Sequence, residues 1–320
     1  MAVAAPAPDG LVAGVRAGET RAVARAISLV EDARPEARAL LAALFPHAGG
    51  SLVVGVTGPP GAGKSSLVDR LTAHLRRQGR TVGIVAVDPT SPFTGGAILG
   101  DRIRMQAHAT DPGVFIRSMA TRGHLGGLAA TTDQALLVLS AAGKDVILVE
   151  TVGVGQDEVE IVGTADVSVV VLVPGLGDEV QALKAGIMEI ADVFVVNKAD
   201  RDGVERVVAE IASMLSLAAA DAEPPAVVKT VATRDEGVAG LLEAVEAFHR
   251  RAKDSGALAK KRRAQMRRQL EDAVRQRVMG HVFRRVVPPE ELERTLERLA
   301  ARAIDPFTAA DGIVERMGLA

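Results

Sequence analysis

Seven short runs rich in Val, Ile and Leu recur along this chain from residue 52 onwards, and stretches of helical periodicity separate them. The runs span residues 52–57, 82–88, 114–119, 146–150, 167–174, 193–197 and 227–231. They are continuously apolar rather than alternating with polar residues, which is typical of strands that helices cover on both faces. The sequence therefore predicts an α/β fold with a mostly parallel central sheet flanked by helices.

The two ends of the chain are predicted to be helical. Residues from about 10 to 45 show helical periodicity that Pro35 interrupts, which predicts two helices there. Beyond residue 250 the strand pattern stops, and Pro288 and Pro306 each begin or precede a further helical stretch. We therefore expect an N-terminal helical segment over residues 1–49, a central α/β domain over residues 50–250 and a C-terminal helical extension over residues 251–320.

The composition of the chain excludes several classes of site. With 320 residues, 48% of them apolar, the chain is long enough to bury a full core. It has no cysteine, which excludes disulfides, thiolate metal sites, iron–sulfur clusters and a cysteine nucleophile. The N-terminal MAVAAPAPDG lacks a cationic start, and no apolar run reaches the ~18–20 residues that span a bilayer. We therefore expect a cytoplasmic protein with no membrane partner.

Positive charge is concentrated in residues 250–285, which contain 13 Lys or Arg and 3 Asp or Glu. This stretch carries +10, although the whole chain carries −2. Such a surface attracts polyanions, but the chain has no Trp or Tyr and only seven Phe on which bases could stack. We favour a solvated helix at a dimer interface or against the acidic remainder of the chain, and predict no nucleic-acid partner.

A glycine-rich motif follows the first predicted strand directly. It comprises Gly58, Pro59, Pro60, Gly61, Ala62, Gly63, Lys64 and Ser65, fits G-x-x-x-x-G-K-[ST], and leads through Ser66 into a helical stretch. In this arrangement, backbone N–H groups cradle phosphate oxygens, the lysine reaches the β- and γ-phosphates and the hydroxyl ligates Mg²⁺. The sequence therefore predicts a P-loop NTPase in which residues 58–66 bind nucleotide and Lys64 is catalytic.

A second motif, Asn197-Lys198-Ala199-Asp200, follows the sixth predicted strand and fits N-K-x-D. Guanine presents two neighbouring donors, N1–H and N2–H, which the Asp200 carboxylate can accept together, whereas adenine has no such pair. Asn197, the only asparagine of the chain, would brace the loop, and the stem of Lys198 would cover the base. The motif predicts that the ligand is GTP or GDP. A weaker signal, Val231-Ala232-Thr233, could supply N–H groups to guanine O6.

Acidic residues follow two strands of the predicted sheet. Asp88 ends the second strand, Glu150 ends the fourth, and Asp101 begins a helical stretch after a loop rich in Pro and Gly. The carboxyl ends of parallel strands meet at one edge, where the phosphate loop also lies. We therefore predict a Mg²⁺ site formed by Ser65, Asp88, Asp101 and Glu150, with helix capping as the alternative role for Asp101.

Three residues, Glu150, Gln156 and Lys184, are candidates for assisting hydrolysis. No glutamine stands where small signalling GTPases place the residue that orients water, so we expect slow intrinsic hydrolysis. Glu150 and Gln156 are the candidates for positioning water. Lys184, on the helical stretch after the fifth strand, could swing toward the nucleotide or remain solvated.

Four segments together resemble the methylmalonyl-CoA mutase-associated GTPases of the MeaB type, once labelled arginine/ornithine transport ATPases. They are residues 58–66, 88–105, 150–156 and 174–200. The resemblance implies a GTPase of the signal-recognition/MinD-like class that dimerises through its helical C-terminal extension. It also implies a chaperone that gates cofactor delivery to, and protects, an adenosylcobalamin-dependent acyl-CoA mutase, with methylmalonyl-CoA mutase the expected partner. By position, Asp88, Asp101 and Glu150 match the family's magnesium and switch acids, and Lys184 matches a lysine of its third mobile loop.

Two alternatives stay open at this point. A P-loop kinase or ATPase acting on a small molecule or protein would share the phosphate loop but would not need guanine selectivity. A metal-insertion GTPase of the same class would usually carry clusters of Cys or His, whereas this chain has no Cys and six His without ligand spacing.

Overall fold

The structure of the chain is a computed structural model that describes residues 10–88, 106–120, 127–151, 163–175, 190–218 and 223–317. The chain divides into two units, Met1–Gln265 and Met266–Ala320, which are described separately below. The three domains expected from the sequence stay a prediction.

Among the described residues of the first unit, seven strands form one sheet. They are β1 (Leu52–Thr57), β2 (Val82–Asp88), β3 (Val114–Ala120), β4 (Val146–Thr151), β5 (Val167–Leu172), β6 (Val193–Asn197) and β7 (Ala226–Thr230). Their order is β3-β2-β4-β1-β5-β6-β7, and every pairing is parallel. The predicted parallel sheet is confirmed. The strand predicted over residues 167–174 is too long, since β5 ends at Leu172 and Pro174 has no N–H to continue the ladder.

The continuously apolar strands are explained by cores on both faces of the sheet. Successive side chains of a strand point to opposite faces. In β4, Val146 and Leu148 join one core cluster, whereas Ile147 and Val149 join another on the opposite face. All four side chains are buried, so this part of β4 is apolar on both of its faces.

Helices cover both faces. One face carries α4 (Lys64–Arg77) and a later helix, Val238–Asp254, which is α7 in chain order. The other carries α1 (Leu11–Arg16), α2 (Thr20–Glu31), α3 (Ala37–Leu44), α5 (Gly127–Ala141) and α6 (Val204–Ala218). The prediction of two helices between residues 10 and 45 is wrong, because Gly18 takes a left-handed φ of 72° and separates α1 from α2. The apolar periodicity continues across that turn and conceals it.

The remaining described helices are α8 (Ala257–His281), α9 (Pro289–Ala300) and α10 (Pro306–Arg316). The side chain of Asp305 caps α10 by accepting hydrogen bonds from the N–H groups of Phe307 and Thr308. The second unit has exposed apolar side chains at Met266, Leu270, Val274, Val278, Met279, Phe283, Leu296, Phe307 and Val314, which we call the C-terminal apolar set. Within the described ranges, no helix is long and apolar enough to cross a membrane.

Candidate functional site

The phosphate loop joins β1 to α4 at the carboxyl edge of the sheet. Gly58, Gly61 and Gly63 have φ values of 142°, 73° and 88°, which L side chains rarely adopt. A Cβ atom on Gly58 would lie 2.1 Å from the backbone oxygen of Val171 in β5. The loop therefore passes so close to β5 that only glycine fits at its first position.

Lys64 lies across this loop. Its Nζ donates hydrogen bonds to the carbonyl oxygens of Gly58 at 2.6 Å and Pro59 at 3.0 Å, and the residue is buried. A buried ammonium group must be paired or hydrogen-bonded, and here the carbonyl groups of the loop do so. The arrangement places a positive charge within the loop that would surround the phosphates.

Ser65 and Glu150 form the second part of the site. The Ser65 hydroxyl donates to Glu150 Oε1 at 2.6 Å, and both residues are buried. Beside them, Thr151 Oγ1 donates to Thr57 Oγ1 at 3.0 Å. A hydroxyl and a carboxylate on adjacent elements are the hard oxygen donors that Mg²⁺ prefers, so these residues fit the metal expected from the sequence.

The other predicted metal ligands are described less fully. Asp88 is the last residue of β2, two strands from β1 at the same edge, but its side chain is not among those that the structure describes. Asp101, Gln156 and Lys184 lie outside the described residues. Their roles stay predictions.

Asn197 links the two predicted nucleotide motifs. Its Nδ2 donates to the carbonyl oxygen of Ala62 at 2.8 Å, while its Oδ1 accepts from Thr230 Oγ1 at 3.0 Å and from the N–H of Ala232 at 3.2 Å. A Cβ atom on Gly63 would lie 2.5 Å from the Asn197 amide nitrogen. One buried amide therefore holds the phosphate loop, the end of β6 and the loop after β7 together.

The residues after Asn197 extend this connection toward the solvent. Lys198 has a positive φ of 56°, and its Nζ donates to the carbonyl oxygen of Gly61 at 2.8 Å. Asp200 is partly exposed, and its Oδ2 accepts a hydrogen bond from Arg234 at 3.2 Å. Asp200 thus lies two residues beyond the lysine that contacts the phosphate loop, with Arg234 beside its carboxylate.

The loop after β7 completes the site. Val231 and Ala232 are buried and Thr233 is exposed, and Ala232–Arg234 form a turn of 3₁₀ helix. Asp235, with a φ of 59°, follows and pairs with His74 at 2.8 Å and Arg77 at 3.4 Å, both on α4. Burial alone would raise the pKa of Asp235, but its hydrogen bonds to His74 and Arg77 and their charges outweigh that effect and lower the pKa.

Sequence reasoning missed Arg234 and Asp235. Their contacts join the loop to Asp200 and to α4, more than 30 and 150 residues away along the chain, respectively. The only available signal was their position directly after the weak Val231-Ala232-Thr233 motif.

Comparisons with known proteins extend over nearly the whole chain. A family model described as Methylmalonyl Co-A mutase-associated GTPase MeaB matches residues 23–286. A protein of Pyrococcus horikoshii named as a GTPase is 49% identical, over 97% of this chain and 98% of its own length. The mouse protein named Methylmalonic aciduria type A homolog, mitochondrial, is 34% identical, over 95% of this chain and 78% of its own. A crystal structure of a LAO/AO transport system kinase matches with a TM-score of 0.71 and 29% identity over 96% of each chain.

Proposed function

The chain belongs to the MeaB family of methylmalonyl-CoA mutase-associated GTPases, and from that premise we propose that it is a nucleotide-controlled chaperone of an adenosylcobalamin-dependent acyl-CoA mutase. It is a P-loop GTPase, converting GTP and water to GDP and phosphate. In the proposal, its nucleotide state gates delivery of the cofactor to the mutase and protects that enzyme. Methylmalonyl-CoA mutase is the expected partner, because the matching family model carries its name.

The observation that carries the proposed site is the buried Asn197 amide, which joins the phosphate loop to both segments expected to contact guanine. A guanine base and a triphosphate bound there would contact segments that Asn197 connects directly. Binding at either end would then be sensitive to the other, which a nucleotide-controlled switch requires.

Each residue at the phosphate end has a separate role in the proposal. Lys64 would exchange its carbonyl partners for the β- and γ-phosphate oxygens, which offer stronger, charge-assisted hydrogen bonds. Ser65, Asp88, Asp101 and Glu150 would hold Mg²⁺, directly or through water. When bound, that ion would neutralise charge on the β- and γ-phosphates. Glu150 would also orient water for attack, and Lys184 would approach the nucleotide from its own loop.

At the guanine end, Asp200 would accept N1–H and N2–H of the base. Lys198, held over the loop by Gly61, would cover one face of the ring. The N–H groups near Val231-Ala232-Thr233 would approach O6. Recognition by a carboxylate favours guanine over adenine because adenine leaves that carboxylate without donors.

We also propose a homodimer formed through the C-terminal helices, which we assign to the cytoplasm. The support is the C-terminal apolar set, whose side chains lie exposed in the second unit. Exposed apolar patches on a protein surface mark interaction sites.

The test is steady-state GTP hydrolysis by the purified protein with and without adenosylcobalamin-dependent methylmalonyl-CoA mutase, with ATP as the control nucleotide. We expect a slow, GTP-selective rate that rises when the mutase is added. Lys64→Ala serves as the negative control, since it removes the cation within the loop. A GTP-selective rate that does not change when the mutase is added would refute the mutase as the partner. Faster hydrolysis of ATP than of GTP would favour the kinase or ATPase alternative.

A further inference from the structure

The backbone that carries Arg234 is fixed from the side of β7. The N–H of Val231 donates to the carbonyl oxygen of Glu236 at 3.0 Å, and the return bond measures 3.3 Å, so the loop closes on itself. Gly237 then passes so close to β7 that a Cβ atom there would lie 2.1 Å from the oxygen of Lys229. This loop has little freedom to move away from the sheet.

The same backbone is fixed from the side of the phosphate loop. Ala232, two residues before Arg234, donates its N–H to Asn197. Asp235, the next residue, pairs with His74 and Arg77 of α4, the helix that begins with Lys64. The backbone at Arg234 is therefore held by contacts on both sides, although 60% of the Arg234 side chain is exposed.

The orientation of the Asp200 carboxylate determines whether it can accept both guanine donors. Guanine N1–H and N2–H together require both oxygens of one carboxylate, held in a single plane. The terminal torsion of an aspartate is broad, and 35% of the Asp200 side chain is exposed, so packing alone does not fix that plane. Of the cations that the structure describes, Arg234 is the one that pairs with Asp200.

The Arg234 hydrogen bond is compatible with a bound base. It reaches Asp200 Oδ2, and each carboxylate oxygen has two lone-pair positions. Oδ1 and the second position on Oδ2 remain for the two guanine donors. We propose that Arg234 is a positioning residue for guanine, which holds the Asp200 carboxylate in the plane that accepts both donors. This inference rests on the proposed guanine site, and Arg234 itself need not touch the nucleotide.

The test compares the dissociation constants of GDP, inosine diphosphate and ADP, since inosine lacks the 2-amino group of guanine. Arg234→Ala should weaken GDP binding roughly three- to tenfold, as expected for loss of a partly exposed, charge-assisted contact. The affinity for inosine diphosphate should fall less, so the ratio between the GDP and inosine diphosphate affinities should become smaller. The affinity for ADP should not change. Arg234→Lys should recover part of the loss. Arg206→Ala, which removes an exposed arginine from an ion pair on α6, is the matched control.

A second experiment asks whether Arg234 acts through Asp200. In an Asp200→Ala background, Arg234→Ala should have no further effect on GDP binding. Unchanged GDP affinity in the single variant would overturn the proposal, as would equal losses for all three nucleotides, which would mean a disturbed loop. Tighter GDP binding by Arg234→Ala would also overturn the proposal, because it would mean that Arg234 competes with guanine for Asp200. Wild-type protein that binds ADP as well as GDP would refute the guanine site itself, a different failure.

Discussion

At the scale of single residues, close backbone approaches decide which positions tolerate change. Gly58→Ala places a methyl group 2.1 Å from the oxygen of Val171, in a backbone conformation that alanine avoids. We expect it to lower the free energy of unfolding by about 3 kcal/mol or more. Gly61→Ala is the control, because its φ is also positive but nothing lies within 4 Å of the added atom, so about 1 kcal/mol is expected. Urea unfolding without nucleotide measures both, and equal losses would contradict the steric argument.

Some residues of the candidate site could be predicted from the sequence, and others could not. Four residues, Lys64, Ser65, Asn197 and Asp200, stand in motifs typical of nucleotide binding, so the sequence alone identifies them as candidates. The structure brings Ser65 to Glu150 because both lie at the carboxyl edge of the parallel sheet, as the sequence predicts. Arg234 could not be found this way, since an arginine after a strand is ordinary and its meaning comes only from the distant carboxylate beside it.

At the scale of elements, the strands were predictable and the N-terminal helices were not. A strand buried on both faces leaves a short unbroken apolar run, as Val146–Val149 of β4 does. Helix periodicity, in contrast, survives a short glycine turn such as that at Gly18, so helices α1 and α2 read as one.

Arg262 holds the start of α8 against residues that precede β1 and β5, together with Lys261 and Gln265, and it gives a second prediction. Arg262 donates to both carboxylate oxygens of buried Asp166, at 2.7 and 2.8 Å, and to the carbonyl oxygens of Gly49 and Ser51. Arg262→Ala leaves that carboxylate buried without its cation, and we expect a loss of about 3–5 kcal/mol in the free energy of unfolding.

Two further variants make the Arg262 prediction specific. Arg267→Ala breaks an exposed ion pair with Glu271 on the same helix and should cost about 0.5 kcal/mol or less. Adding Asp166→Asn to Arg262→Ala should restore part of the stability, because a neutral amide is less costly to bury than an unpaired carboxylate. Denaturant unfolding at neutral pH compares them, and a similar loss for Arg262→Ala and Arg267→Ala would disprove the argument.

His249 on α7 gives the fold a pH dependence. Burial is the main cause that lowers its pKa below the usual 6.5; the charge of Asp166 opposes this effect, and the charges of Arg262, Lys253 and Arg80 add to it. The unfolded chain therefore takes up a proton more readily, so the free energy of unfolding should fall as pH drops from 6.5 toward the lowered pKa.

His249→Gln should reduce this fall, because glutamine does not titrate. Urea titrations at pH 7.5, 6.5 and 5.5 measure the slope, with exposed His47→Gln as the control. An unchanged slope in His249→Gln would assign the pH dependence to other groups.

At the scale of the whole molecule, the C-terminal apolar set predicts the oligomeric state. Leu270→Glu with Val274→Glu places two charges in this exposed set without opening a core, so the variant should fold but sediment as a monomer. Gln269→Glu adds a charge on the same helix outside the set and should remain dimeric. Analytical ultracentrifugation over a range of concentrations tests this. Wild-type protein that stays monomeric throughout would refute the dimer.

The strand order also determines when this protein can begin to assemble on the ribosome. The central strand β1 finds its partners only at β4 and β5, whose paired residues begin at Val146 and Val167. At ordinary synthesis speeds of about 5–20 residues per second, β1 waits on the order of ten seconds before both neighbours exist. During that interval its apolar face and unpaired backbone are open to aggregation. A protein proposed to protect another enzyme thus needs protection itself while it is being made.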